Sequence, residues 1–300
     1  MAAEQIAPPA RPAYLEQSNI GRRYSFSGTV LETARYCFHR LEFLWLDLRA
    51  GRLGRSGRRS FSAGLWQLWS DWAYYRRFIR RCERDPNRIF AHPFVFFPFQ
   101  NEPEFSVQAR CKEFNDQSAI ARQIAMSLPA GLNLVIKEHA WIGGRQLSFY
   151  ENLLSLPNVI MAHPGLRAID LIPRAAAVAS LGGTVTLEAG LFGKSAIIFS
   201  ERSEFSFLPH VRIVDAMRSL PHVLREVVAP LQAEIALRYR KAAARLCNAT
   251  ETIGVEAEPL FRKDATSISD AQVERAALLL QNLLALHEQE RARGRSRLDA

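Results

Sequence analysis

From residue 88 onward, short apolar runs alternate with stretches of helical periodicity, and this alternation limits the possible folds more than any other feature. FVFFPF (94–99), LNLVIK (132–137), NVIMA (158–162), AVASL (177–181) and SAIIFS (195–200) are nearly unbroken in apolar residues. Between them lie helical segments near 112–128, 146–155, 166–174 and 184–192. A strand that is apolar on both faces must be covered on both, and strands separated by helices run parallel. A shorter run, VRIV (211–214), precedes helices near 219–229 and 231–248. Residues 88–265 therefore read as an α/β domain, a Rossmann-like parallel sheet with helices on both faces.

The first 87 residues have a different texture. Residues 1–28 read as a flexible lead with Pro8, Pro9 and Pro12 close together. Residues 29–49 space their apolar side chains by three and four, as an amphipathic helix does. GRLGRSGRRS (51–60) is a Gly/Arg/Ser linker. Residues 62–84 predict a second helix, with Leu65, Leu68, Trp69, Trp72 and Tyr75 along one side. Arg76, Arg77, Arg80, Arg81 and Arg84 crowd its end, where the helix dipole favours cations. The net charge of +9 is concentrated here, with sixteen Arg against eight acids in residues 1–88. Such a basic, aromatic segment suits an anionic partner (membrane surface, nucleic acid or acidic polymer), or is simply a solvated face. At the other end, Ser267 or Ser269 can cap a Leu-rich helix near 270–290, within a C-terminal section 266–300 whose tail reads as frayed.

Several chemistries are disfavoured. The four cysteines (37, 82, 111 and 247) show no CxxC and no His at ligand spacing, which argues against zinc and a disulfide framework and suits a reducing cytoplasm. The N-terminus lacks the basic and apolar regions of a secretory signal. No apolar run reaches the roughly 18 residues a spanning helix needs. GLFGKS ends like a phosphate-binding P-loop, but Glu188 stands where that motif needs Gly, and the GKS precedes a strand. GxGxxG, GxSxG and HExxH are absent.

In parallel sheets ligands bind beyond the carboxyl ends of the strands. The five exits here carry QNEPE (100–104), KEH (137–139), HPG (163–165), GGT (182–184) and SERSEF (200–205). Lys137 can neutralise a phosphate, with His139 pointing the same way, or it can pair with Glu138. His163 reads as a phosphate ligand, as an acid for a departing phosphate, or as a structural turn residue. Gly183 and Thr184 open a helix whose N–H groups suit an anion, or form a capped strand–helix turn. Glu188, one turn on, suits two ribose hydroxyls or complements the helix dipole. Gln100, Glu102 and Glu104 line the first exit as acceptor or cleft-loop residues. Lys194 after Gly193 reads as a helix stop. No metal ligand set and no cofactor motif stands out.

FVFFPFQNEPE, LVIKEHAWIGGRQLSFY, LPNVIMAHP, SLGGTVTLEAGLFGK and AIIFSER, in this order, resemble the capsule polysaccharide biosynthesis family. That family is similar to bacterial Kdo and sialic acid transferases that use CMP-activated sugars. The resemblance covers about residues 88–230 and implies the C-terminal, donor-binding half of a GT-B glycosyltransferase. It implies that Lys137 and His139 lie at the donor site, that His163 and Gly183–Thr184 hold the nucleotide phosphate, and that Glu188 faces the ribose. Ala140 stands where the family has Pro after Lys-Glu-His. The family places its general base in an N-terminal half that residues 1–87 are too short to form, so no catalytic residue is assigned.

The expected function is a glycosyltransferase, or its donor-binding half, in surface polysaccharide synthesis. It would need no cofactor and would use a nucleotide sugar, CMP-linked, with a polysaccharide or glycolipid acceptor. The expected location is cytoplasmic, peripheral at the inner face of the plasma membrane through the Arg/Trp-rich helices. The alternative is a non-catalytic assembly partner that keeps the donor-domain fold. Nucleic-acid binding is disfavoured, because the α/β domain has no recognition motif for it.

Overall fold

A computed structural model describes residues 25–49, 61–100, 114, 116–139, 147–253 and 274. Two helices lead, α1 (Phe26–Arg49) and α2 (Phe61–Ile79), followed by a short α3 (Pro86–Phe90). Six strands follow: β1 (Phe94–Pro98), β2 (Asn133–Lys137), β3 (Val159–Ala162), β4 (Ala177–Ser180), β5 (Ser195–Ile198) and β6 (Val211–Ile213). Between them run α4 (Gln117–Ser127), α5 (Leu147–Leu154), α6 (Ala168–Leu171) and α7 (Val185–Leu191), with α8 (Leu220–Val227) and α9 (Ala233–Ile253) after β6. Contacts divide the chain into units at residues 1–240 and 241–300. The sheet lies wholly in the first unit, and the described part of the second is chiefly the end of α9. The helix expected near 270–290 falls outside the described residues apart from Glu274, which is helical.

All six strands pair in parallel, in the order β3-β2-β1-β4-β5-β6. The apolar runs explain why. Val95, Phe97, Leu134, Ile136, Ala179 and Ile197 are buried in one cluster with Ile120 and Ile124 of α4, Leu153 of α5 and Leu224 of α8. Their alternates Phe94, Phe96, Val135, Val178, Ala196 and Ile198 are buried as well, so both faces of the sheet are covered. The strand order reverses between β1 and β4, which makes their carboxyl ends the switch point where such folds open a crevice. Ala162, Lys137 and Pro98 are level in the register, and so are Ser180, Ile198 and Ile213. The strand exits therefore share one edge.

Local signals set the element ends. Asp116 accepts from Ala119 N at 2.9 Å to cap α4, and Asp85 caps α3 from the N1 side of Pro86. Gly193, at φ +68°, stops α7: its N–H donates to Gly190 O and Lys194 N–H to Ala189 O, the paired bonds of a Schellman stop. Pro173 shortens the helix expected over 166–174 to α6 plus a 3-10 turn, Ile172–Arg174.

The main departure concerns the second helix. The sequence predicts helix through residue 84, yet α2 ends at Ile79. Residues 82–84 run instead beside β3, with Glu83 bridging Ala162 in parallel. Glu83 N–H donates to Met161 O and His163 N–H to Glu83 O, both at 2.8 Å. Backbone pairing with an open sheet edge outweighs the helical continuation, and Arg84 moves from a helix end to the sheet.

Candidate functional site

At the switch point, the chain leaving β1 is held by a side chain rather than by a strand. Gln117, fully buried at the start of α4, accepts from Gln100 N–H at 2.7 Å and donates to Gln100 O at 3.0 Å. Across the junction Ser180, the last residue of β4, accepts from Gly182 N–H at 3.1 Å and Gly183 N–H at 3.0 Å. Gly182 sits at φ +111°, where a side chain is strained. Gly183 lets the Gln100 amide approach closely: a Cβ there would lie 2.6 Å from Gln100 Nε2, the mobile end of that side chain. The structure thus brings Gln100 and Gly183 into contact. The two glycine N–H groups that the sequence offered to an anion are already engaged by Ser180.

Thr184 occupies the N-cap of α7 but makes no side-chain capping bond, and it is exposed. Glu188 is half-buried one turn on, its N–H donating to Thr184 O at 3.0 Å. Behind this helix His210 is fully buried, and its Nε2 donates to Thr186 O at 2.8 Å. Burial, with Arg212 in support, pushes its pKa below the usual range despite that bond.

The wing formed by β2 and β3 is charged. Lys137 ends β2 half-buried, with Nζ donating to Glu138 O at 3.3 Å. The Glu138 side chain that follows is turned inward. That carboxylate is 1% exposed, accepting from Tyr150 OH and, at 2.8 Å, from His139 N–H. A carboxylate with those partners fixes the backbone between Lys137 and His139. Beside it, burial and the Glu138 charge push the Cys82 thiol up to about 12, so this cysteine is inert.

His163 follows β3. Gly165 N–H donates to its Nδ1 at 3.0 Å, and a Cβ on Gly165 would crowd that atom at 2.9 Å. With Nδ1 accepting, the neutral ring carries its proton on Nε2. Burial first, then the charges of Arg84 and Lys137, lower its pKa. His163 is therefore neutral at pH 7, suited to donate a hydrogen bond rather than to act as an acid until an anion arrives.

Glu102 and Glu104 lie outside the described residues. Sequence reading missed Gln117, Ser180, Tyr150 and the place of Arg84. The signal for Gln117 and Ser180 was thin, a polar residue beside an otherwise apolar element. Among the described residues no group of three His, Cys, Asp or Glu is placed to hold a metal ion, and no helix is long and apolar enough to cross a membrane.

The fold and its edge define a class: an α/β domain with a Rossmann-like parallel sheet and a partly cationic carboxyl edge. No protein-family model and no curated protein matches the chain. Among solved structures it is similar to a UDP co-structure of S. aureus MnaA, at 13% identity over 63% of this chain and 53% of that one, TM-score 0.37. It is also similar to CalG4, the calicheamicin glycosyltransferase, at 13% identity over 70% and 63%, TM-score 0.37. A third is the spinosyn rhamnosyltransferase SpnG complexed with spinosyn aglycone, at 11% identity over 55% and 43%, TM-score 0.38. The chain spans about half the length of the first of these structures.

Proposed function

We propose that the carboxyl edge of the sheet is the donor site of a GT-B-type glycosyltransferase acting in capsule or surface polysaccharide synthesis. The carrying observation is the juxtaposition at one edge of a glycine-lined neutral corner, Gln100 against Gly183, and the donors Lys137 and His163. The donor is a nucleotide sugar, CMP-linked by the motif resemblance, and the acceptor a polysaccharide or glycolipid. In this reading Lys137 and the Nε2–H of His163 stabilise the phosphate as it leaves the sugar, and charge developing there strengthens both contacts. The Thr184 hydroxyl and Glu188 face the nucleotide, Glu188 accepting from ribose hydroxyls; His139 and Gln100 border the cleft. The test is calorimetry with CMP, CMP-sialic acid, CMP-Kdo and UDP-sugars. Binding of CMP-sugars is expected; absence of binding by every nucleotide at millimolar concentration overturns the reading.

The leading helices support peripheral attachment to an anionic membrane. Phe38, Leu41, Trp45 and Trp66 are all more than half exposed on α1 and α2, beside an Arg-rich sequence. Co-sedimentation with phosphatidylglycerol vesicles but not phosphatidylcholine vesicles is expected. Equal recovery in both supernatants would instead favour the non-catalytic assembly partner, whose docking face these helices would supply.

A further inference from the structure

The departure of residues 82–84 from the expected helix has a chemical consequence. Two strand exits and the bridging segment 82–84 now lie side by side at one edge. Glu83 is level with Ala162, and Ala162 with Lys137, so Arg84, His163 and Lys137 leave three adjacent backbones at neighbouring levels. The placement is made by backbone bonds, Glu83 N–H to Met161 O and His163 N–H to Glu83 O, so it does not depend on the side chains agreeing with one another. The charges of Arg84 and Lys137 both act on His163 and disfavour its imidazolium, an effect that a bound anion offsets.

The nearby acids have other tasks. The Glu83 carboxylate turns back to accept from Arg84 N–H at 2.8 Å and Asp85 N–H at 2.9 Å, and it pairs with Arg88 at 3.5 Å. Glu138 is buried with Tyr150. The Arg84 guanidinium has no ion pair among the described residues and is exposed.

We infer that Arg84, Lys137 and the Nε2–H of His163 form one site for a phosphoryl group, with Arg84 supplying the bidentate contact. The inference rests on the donor-site reading for Lys137 and His163 and adds a ligand from outside the sheet's own strand exits. A guanidinium presents two parallel N–H donors to two phosphate oxygens, while Lys137 adds a point charge and His163 a single directed bond. Recognition is of a phosphate ester or diphosphate, carried by the nucleotide donor or by a phosphorylated acceptor.

The test uses the full chain and inorganic pyrophosphate, followed by the imidazole resonances of His163 in an NMR titration. Pyrophosphate is expected to bind and to raise the His163 pKa, because the anion favours the imidazolium. Arg84→Ala is expected to weaken pyrophosphate about tenfold, the loss of one charge-assisted contact, and to raise the His163 pKa of the free protein. Arg84→Lys restores part of the affinity, and Arg88→Ala leaves it within about twofold, since Arg88 is engaged by Glu83. Wild-type protein that ignores pyrophosphate overturns the inference, and so does Arg84→Ala with unchanged affinity. Pyrophosphate binding with no nucleotide binding sinks the donor reading and leaves this site standing. CMP binding that is indifferent to Arg84→Ala does the reverse. Competition between CMP and pyrophosphate assigns the phosphoryl group to the donor; simultaneous binding assigns it to the acceptor.

Discussion

At the junction of β1 and β4 the contacts are neutral, whereas on the β2–β3 wing they are ionic, although both sit on the same sheet edge. Gln117 holds the Gln100 backbone and Ser180 holds Gly182 and Gly183, so this corner is shaped in advance by amide and hydroxyl bonds. The wing is shaped by backbone pairing instead, and there the charges of Arg84 and Lys137 both act on His163. The first arrangement selects by fit and the second by charge. A nucleotide sugar offers both properties, a flat neutral body and an anionic linker.

The largest effect is expected at the neutral corner. Gln117→Ala removes the bonds to both Gln100 backbone groups in a fully buried setting, and should cost about 2–4 kcal/mol in denaturant unfolding. A cost below about 0.5 kcal/mol would mean that Gln117 does not preorganise the corner. On the charged wing, Tyr150→Phe removes one bond to the buried Glu138 carboxylate, a loss of about 1–3 kcal/mol. Pyrophosphate affinity should stay unchanged in this variant, since the cations are placed by the backbone. A fall in affinity alongside stability would make the buried carboxylate part of the charged site.

Gly183→Ala should separate fit from stability. The added Cβ meets the far end of the Gln100 side chain at 2.6 Å, and that amide can swing away. Stability should fall by no more than about 1 kcal/mol, while CMP affinity falls about tenfold as the displaced amide fills the corner. Unchanged CMP affinity by calorimetry would remove the close approach from the site.

The contrast between the two corners also explains what the sequence disclosed. The strands were legible because apolar runs such as FVFFPF have no solvated face, and all six parallel strands lie where those runs stand. Their order followed no local signal; which strand neighbours β1 depends on tertiary packing. Gly193 was legible as a helix stop because a left-handed residue has few substitutes. Arg84 was not, because apolar spacing through Tyr75 continues smoothly into the basic run, and only the open edge of β3 competes with the helix. The polar supports Gln117 and Ser180 act across seventeen residues and three residues respectively. The Ser180 bonds are a local serine turn, legible in principle from Ser followed by Gly-Gly, whereas the Gln117 role appears only once the sheet is closed.

The smallest expected effect is the dependence of stability on pH, and it separates the two corners by their histidines. His210 lies behind the neutral corner, buried and donating to Thr186 O, with Arg212 as its charged neighbour. His163 lies on the wing, partly buried and under the charges of Arg84 and Lys137. Both have lowered pKa values in the folded chain. Above the ordinary histidine value of about 6.5 both are neutral in folded and unfolded chains alike, and stability is complete. As pH falls through that value the unfolded chain takes up protons first, so stability drops until the folded groups protonate in turn. Pyrophosphate bound at the wing raises the His163 value and should flatten its share of the decline, but it has no route to His210. Melting temperatures between pH 8 and pH 5 check this. His163→Gln should abolish the phosphate-sensitive part of the slope, and His210→Gln the insensitive part. A slope that responds to pyrophosphate as strongly in His163→Gln as in the wild type would show that the anion binds elsewhere, and that the two corners do not differ in the way their charges suggest.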